Sequence, residues 1–200
     1  MRRPYRLGKR AEAAQATRRR IVEATMALHA EHGIVATSVK DIAVRADVGV
    51  GTVYHHFPTY ADIVRACGAG MQAIARPPTP DLFADIQPLE ERVRRLVREV
   101  FAYYERYPSY ERGRCDRDKL PAIAEGIARR EGALEAVTRE ALRPLGDAEG
   151  TVATVIAFTD FAVYRSLMTG GASTEATADR VAAVLLAWLR LTDAGKGVRA

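Results

Sequence analysis

The sequence predicts an all-α protein of about nine helices. Three observations carry that expectation. Apolar residues recur at three- and four-residue intervals in every periodic stretch of the 200-residue chain. No stretch alternates apolar and polar residues as a half-buried strand does. Gly33, Pro58, the run "RPPTP" at 76–80, Pro108 and the pair Gly170-Gly171 interrupt the periodic stretches at helix-like lengths.

The elements follow in order. Residues 1–14 contain Pro4 and Gly8 and no apolar stripe, so they read as a basic flexible arm. From Gln15 the pattern turns helical: Ile21, Ala24, Thr25 and Leu28 share one face, and Gly33 ends the helix as its C′ residue. Thr37 or Ser38 offers an N-cap, with Asp41 three residues after Ser38 in the manner of a capping box. A short helix is expected over 39–46. Asp47-Val48-Gly49 then makes a tight turn, in which Gly49 lets the backbone reverse. A second short helix runs over 50–56 and is interrupted by Pro58. Thr59 and Asp62 cap a helix over 60–75.

Residues 76–80 form a linker. Leu89, Val93, Leu96, Val97, Val100, Phe101 and Tyr104 then line a long amphipathic helix that Pro108 ends. The polar run "SYERGRCDRD" reads as a loop, and residues 120–142 are helical again. Val152, Val155, Ile156, Thr159, Val163 and Leu167 mark one helix up to Gly170-Gly171. Thr174 caps the last helix, whose apolar face holds Val181, Val184, Leu185, Trp188 and Leu189.

Composition narrows the class. The chain is 48% hydrophobic and 28% charged, ordinary for a globular protein with a real core. No run of about 18 apolar residues is present, and no apolar segment follows the basic N-terminus, so neither a membrane span nor a secretory signal is expected. Cys67 and Cys115 lie far apart, without metal-type spacing, and read as cytosolic thiols. The formal net charge is +5, and residues 1–60 hold ten Lys or Arg against five Asp or Glu, so the whole excess sits in the N-terminal third. A basic segment on a neutral body suits a polyanion partner.

The stretch "VGVGTVYHHF" at 48–57 gives that partner a place. Two short helices joined by a three-residue turn with a glycine form a helix-turn-helix. The second, about seven residues and roughly 10 Å long, fits a DNA major groove. Gly51 lets the backbone approach a phosphate. Val48 and Val53 face inward, Phe57 returns to the core, and Thr52, Tyr54, His55 and His56 face out.

"TSVKDIAVRADVGVGTVYHHFPTYADIV", with "RRRIVEATMALHAEHG" before it, resembles the DNA-binding domain of the TetR (tetracycline-repressor-type) family of bacterial regulators. The resemblance covers about residues 15–65. It implies an all-helical homodimer, with a helix-turn-helix DNA-binding domain over 15–60 (the motif at about 38–57) and a ligand-binding and dimerisation domain over 61–200. Carried over by position, Thr37, Ser38, Gly51 and Tyr54 contact phosphates. Val50, Thr52, His55 and His56 contact bases or the groove, and Val39 and Lys40 lie near DNA. Gly49 stands where a capping Ser is common, Tyr60 replaces a frequent phosphate-binding Lys, and His29 stands where Phe is usual. Arg2, Arg3, Arg6, Lys9 and Arg10 of the arm are candidates for a neighbouring minor groove or its phosphates.

Other chemistries lack a signal. Adjacent His55 and His56 point about 100° apart on a helix and chelate one ion poorly, and His29 and His32 have no ligand cluster near them in sequence, so no metal is expected. No nucleophile motif, P-loop or dinucleotide turn occurs, so neither an enzyme nor a cofactor is expected. The alternative to a regulator is a non-specific nucleic-acid-binding protein without an effector.

For the C-terminal domain, Phe101, Tyr103, Tyr104, Tyr107, Phe158, Phe161, Tyr164, Arg165 and Met168 are candidates for a small-molecule pocket, with Asp160 beside Arg165 as a polar reader. Val152, Val155, Ile156, Thr159, Val163, Val181, Val184, Leu185 and Trp188, together with Ala153, Ala157, Ala162, Ala182 and Ala183, are candidates for a dimer interface. The expected function is a cytoplasmic, nucleoid-associated repressor, a homodimer released from a palindromic operator by a small molecule, with no membrane partner. The helix over 60–75 is the expected lever between ligand and DNA.

Overall fold

The computed structural model describes residues 5–107, 114–146 and 149–196. Among them are α-helices, short 3-10 turns and no strand. The helices are α1 (Tyr5–His32), α2 (Val39–Arg45), α3 (Val50–His56), α4 (Tyr60–Ala75), α5 (Leu89–Glu105), α6 (Pro121–Leu142), α7 (Glu149–Phe158), α8 (Phe161–Met168) and α9 (Thr174–Lys196).

α1 starts at Tyr5, well before the expected Gln15, so the arm read from the sequence is helical from that residue on. The reason is propensity. Ala11, Ala13, Ala14 and Ala16, with Lys9 and Arg10, are strong helix formers, and an exposed helix extension needs no apolar stripe. Arg2 and Arg3 lie outside the described residues. α1 ends as expected, at Gly33 with φ of +88°.

The expected caps form at α2 and α4. Ser38 accepts from the Asp41 amide while its own amide donates to Asp41 Oδ2, both at 3.1 Å. Thr59 and Asp62 repeat the box before α4. The turn between α2 and α3 works differently from its expectation. It is a Schellman closure, with the Val48 amide on Ala43 O and the Asp47 amide on Val44 O. Its left-handed residue is Asp47 at φ +53°, whereas Gly49, at φ −70°, is the N-cap of α3. Asp tolerates that backbone region better than most residues, so no glycine is required there.

The chain forms two compact units. One is built from the chain up to Ile74 and the segment ending at Ile127, the other from Ala75–Tyr107 and Ala128 onward. In the first, Ile21, Leu28, Ile42, Val53, Phe57 and Ile63 make the core. α4 packs closely on α1 at Gly70, where a Cβ would sit 3.2 Å from Met26 Sδ and 3.4 Å from Val22 Cγ1.

In the second unit α9 packs along α5. Arg98 pairs with Asp179 and Glu90 with Arg190, each at 3.0 Å. Arg92 is fully buried and uses all five N–H donors. Nε donates to Ala141 O at 3.1 Å, Nη1 to Phe83 O at 2.9 Å and Ile86 O at 2.6 Å, and Nη2 to Glu140 O and, at 2.7 Å, Glu140 Oε1. One guanidinium thereby closes the C-terminal turn of α6 against the chain before α5.

The single helix expected over 152–167 is two. Asp160 takes an extended backbone, with ψ of 151°, and accepts from the Ala162 amide at 2.8 Å, so it is the N-cap of α8 rather than a ligand reader. The cap of α9 is likewise Ser173, which accepts from the Ala176 amide at 3.1 Å. Thr174 instead donates to Glu105 Oε1 at 2.9 Å.

Candidate nucleic-acid interface

α3 is held by its one fully buried residue, Val53, and by Phe57 just after it. Everything else on it is exposed or half-buried, including Val50 at 40% and Tyr54 at 49% exposure. Gly49, Gly51 and His55 are exposed, and Thr52 and His56 are half-buried. A Cβ on Gly51 would meet nothing within 4 Å, so nothing inside the protomer requires glycine there. His55 and His56 pack edge to face with ring centroids 5.4 Å apart. Burial, then His55 and Arg18, pull the His56 pKa below its usual value.

Arg18 was not singled out by its sequence position. Its guanidinium lies 4.6 Å from the centre of the Phe57 ring, at the C-terminal end of α3. The stacking parks an exposed cation beside His56. The signal was present in the sequence only as one arginine of the run Arg18-Arg19-Arg20.

The α1–α2 turn separates the other expected contacts into two groups. Ser38 and Lys40 are exposed. The Ser38 hydroxyl proton is spent on Asp41 Oδ2 at 2.6 Å, which leaves the hydroxyl oxygen as an acceptor only. Thr37 is buried, and its hydroxyl donates to Gly33 O at 2.8 Å, which ties it to the turn. Val39 is half-buried and packs against the core. Tyr60 corrects its expectation as well. Its hydroxyl points inward, donates to Ile34 O at 2.5 Å and lies 3.0 Å from His29 Nε2. Lys9 and Arg10 are exposed along α1.

In the second unit, Phe101, Tyr103, Tyr104, Tyr107 and Tyr164 are buried, and Phe161 and Met168 are half-buried. The Phe101 and Tyr164 rings lie 5.1 Å apart, Tyr104 and Phe161 5.3 Å, and Tyr103 stacks on Tyr107 at 5.9 Å. Tyr104 donates to Thr159 O at 3.1 Å. A buried arginine that the sequence reading did not single out joins this cluster: Arg130 donates to Tyr107 Oη at 3.0 Å. Phe158 and Arg165 are exposed and stand outside it.

The candidate interface residues divide by burial within the protomer. Val152, Val155, Thr159, Val181 and Leu185 are buried inside the protomer, and Ile156, Val163 and Trp188 are half-buried. The more apolar face of each helix packs inward, because that burial already stabilises the single chain. Val184 is exposed, at 53%, as are Ala153, Ala157, Ala162 and Ala183 of the expected set, and so are Phe158, Leu191 and Ala187. Residues 150–168 are long and apolar enough to cross a membrane by length and composition alone, but Asp160 breaks the helix there.

Residues 21–67 match the family described as "Bacterial regulatory proteins, tetR family". The HTH-type transcriptional repressor KstR of Mycobacterium tuberculosis is 46% identical over 48 residues, 24% of this chain and 22% of the relative. The chain thus spans about a fifth to a third of the length of the curated relatives it matches. A TetR-family transcriptional regulator of Mesorhizobium loti shares the fold with a TM-score of 0.67 at 18% identity, over 87% of this chain and 96% of that one. The multidrug binding protein EbrR, solved with imidazole, does so with a TM-score of 0.58 at 21% identity, over 84% and 88%. The match to the tetR family model is confined to residues 21–67, the segment that holds α2 and α3, and the likeness to these solved structures extends the shared fold over most of the chain.

Proposed function

We propose that the protein is a homodimeric, ligand-responsive repressor that binds a palindromic operator through α3. The observation that carries this is the outward surface of α3. A short helix anchored by Val53 and Phe57 presents Val50, Thr52, Tyr54, His55 and His56 outward, around a glycine that its own protein does not need. Lys40 and Arg18 add cations beside it, and Lys9 and Arg10 extend the basic surface along α1. Phosphate contacts of this kind position the protein, and the α3 side chains read base edges.

The C-terminal unit supplies the dimer and the effector site. The exposed apolar residues of α7 and α9, interspersed with alanines, suit close packing against a symmetry mate. Dimerisation sets two recognition helices about 34–36 Å apart, one turn of DNA. The effector enters the ring cluster of Phe101, Tyr103, Tyr107 and Tyr164. Those rings fill the interior, so a ligand has to displace them and thereby selects a different arrangement of the helices that carry them. Coupling on the scale of about 1–3 kcal/mol suffices for switching.

Selection of bound DNA from a random pool tests the reading. The expected product is a pseudo-palindrome, bound at least about 10³-fold more tightly than random duplex. Equal affinity for both sinks this reading and leaves the non-specific nucleic-acid binder.

A further inference from the structure

The first unit contains a buried polar chain that no DNA contact accounts for. It runs from Cys67 on α4 through His29 on α1 and Tyr60 at the start of α4 to the carbonyl of Ile34, in the α1–α2 turn. Counting protons fixes its direction. The Tyr60 hydroxyl has one proton, and a carbonyl only accepts, so that proton lies on the bond to Ile34 O. The Tyr60 oxygen must therefore accept from His29 Nε2–H, across 3.0 Å. A neutral imidazole carries one N–H, which leaves Nδ1 to accept the Cys67 thiol proton at 3.5 Å. With all three side chains neutral, every member is satisfied. Burial favours that state in each: it pulls His29 down to about 4 and pushes Tyr60 and Cys67 up to about 12.

The chain ends on the turn that matters for DNA. Ile34 O also receives the Thr37 amide at 3.4 Å, and the Thr37 hydroxyl closes on Gly33 O at 2.8 Å. Ser38 and Lys40, the exposed candidates for operator contact, follow directly. We propose that Tyr60 and His29 are positioning residues for operator binding, which lock the α1–α2 turn between α1 and α4 so that Lys40, just beyond it, meets a phosphate in one fixed geometry. This rests on the operator reading above. Tyr60 thus acts through the turn it clamps, not through a phosphate of its own.

The test uses the full-length protein and the operator recovered by selection. If the unaltered protein shows no operator preference, the functional reading fails first and separately. Given operator binding, Tyr60→Phe should weaken affinity about tenfold, the effect of losing one well-placed hydrogen bond. It should also lower the slope of affinity against salt by about one unit, because a phosphate contact loosens with the turn. His29→Gln still offers an N–H to the Tyr60 oxygen and should stay near the unaltered affinity. If Tyr60→Phe does not fold, His29→Phe substitutes, with the Thr37 amide expected to exchange faster and operator affinity to fall. A folded Tyr60→Phe or His29→Phe protein with unaltered affinity, salt slope and Thr37 exchange overturns the proposal. Loss of active fraction at unaltered affinity and slope does the same.

Discussion

Gly51 and His29 show how one residue separates folding from function. Gly51 sits in the first turn of α3 with open space around its Cβ position, so Gly51→Ala should stabilise the fold by about 0.5–1 kcal/mol through helix propensity. The same methyl should weaken operator binding if a phosphate approaches there. Thermal unfolding and operator titration of that variant check both halves, and equal operator affinity would remove Gly51 from the interface. His29 is buried, with a folded pKa of about 4 against 6.5 in the unfolded chain. Between those values the unfolded chain binds more protons, so stability is complete above pH 6.5 and falls as pH drops towards 4. The loss amounts to about 3 kcal/mol. Unfolding of the unaltered protein and of His29→Gln across that window should show a clearly smaller decline in the latter. The departure of His29 from the usual Phe was legible in the sequence. Its partners were not, because Tyr60 and Cys67 reach it from another helix.

At the scale of elements, the ends of the helices decide more than their middles. α2 stops at a Schellman closure built on Asp47, and the 152–167 stripe splits because Asp160 prefers to cap rather than to continue. Arg92 performs the same service from a distance, on the carbonyls of Glu140 and Ala141. It also holds the Glu140 carboxyl below its ordinary pKa. Lysine has no planar fork of five donors, so Arg92→Lys leaves buried carbonyls unmet and should cost about 3 kcal/mol. Denaturant unfolding measures that loss. A variant with unaltered stability would show that water or a neighbour replaces the guanidinium. No sequence pattern announces such a residue. Arg92 lies on the buried side of α5 beside Val93, yet by residue type it looks like its neighbours Arg94 and Arg95.

At the scale of the whole molecule, the exposed apolar residues of α7 and α9 are the feature that a lone protomer leaves unexplained. In the dimer proposed above, a second copy covers Phe158, Val184 and Leu191. Val184→Glu puts a charge into that contact, which is unfavourable unless paired. Sedimentation should show a monomer, and operator affinity should drop by about 10² or more as two-site binding is lost. A Val184→Glu protein that remains dimeric places the interface elsewhere.

The sequence by itself determined the helical class, most helix ends and the α2–turn–α3 segment, because spacing, caps and turn residues act between neighbours a few positions apart. It showed too that α3 is too short to build a core of its own. Tertiary structure decided which apolar stripe faces in, that the hydroxyls of Thr37 and Tyr60 bond to the α1–α2 turn, that Arg18 rests on Phe57, and that Arg92 and Arg130 are buried. Each of those outcomes depends on groups far apart in the chain, on how helices dock and on which polar atoms lose water. A local pattern carries no record of either.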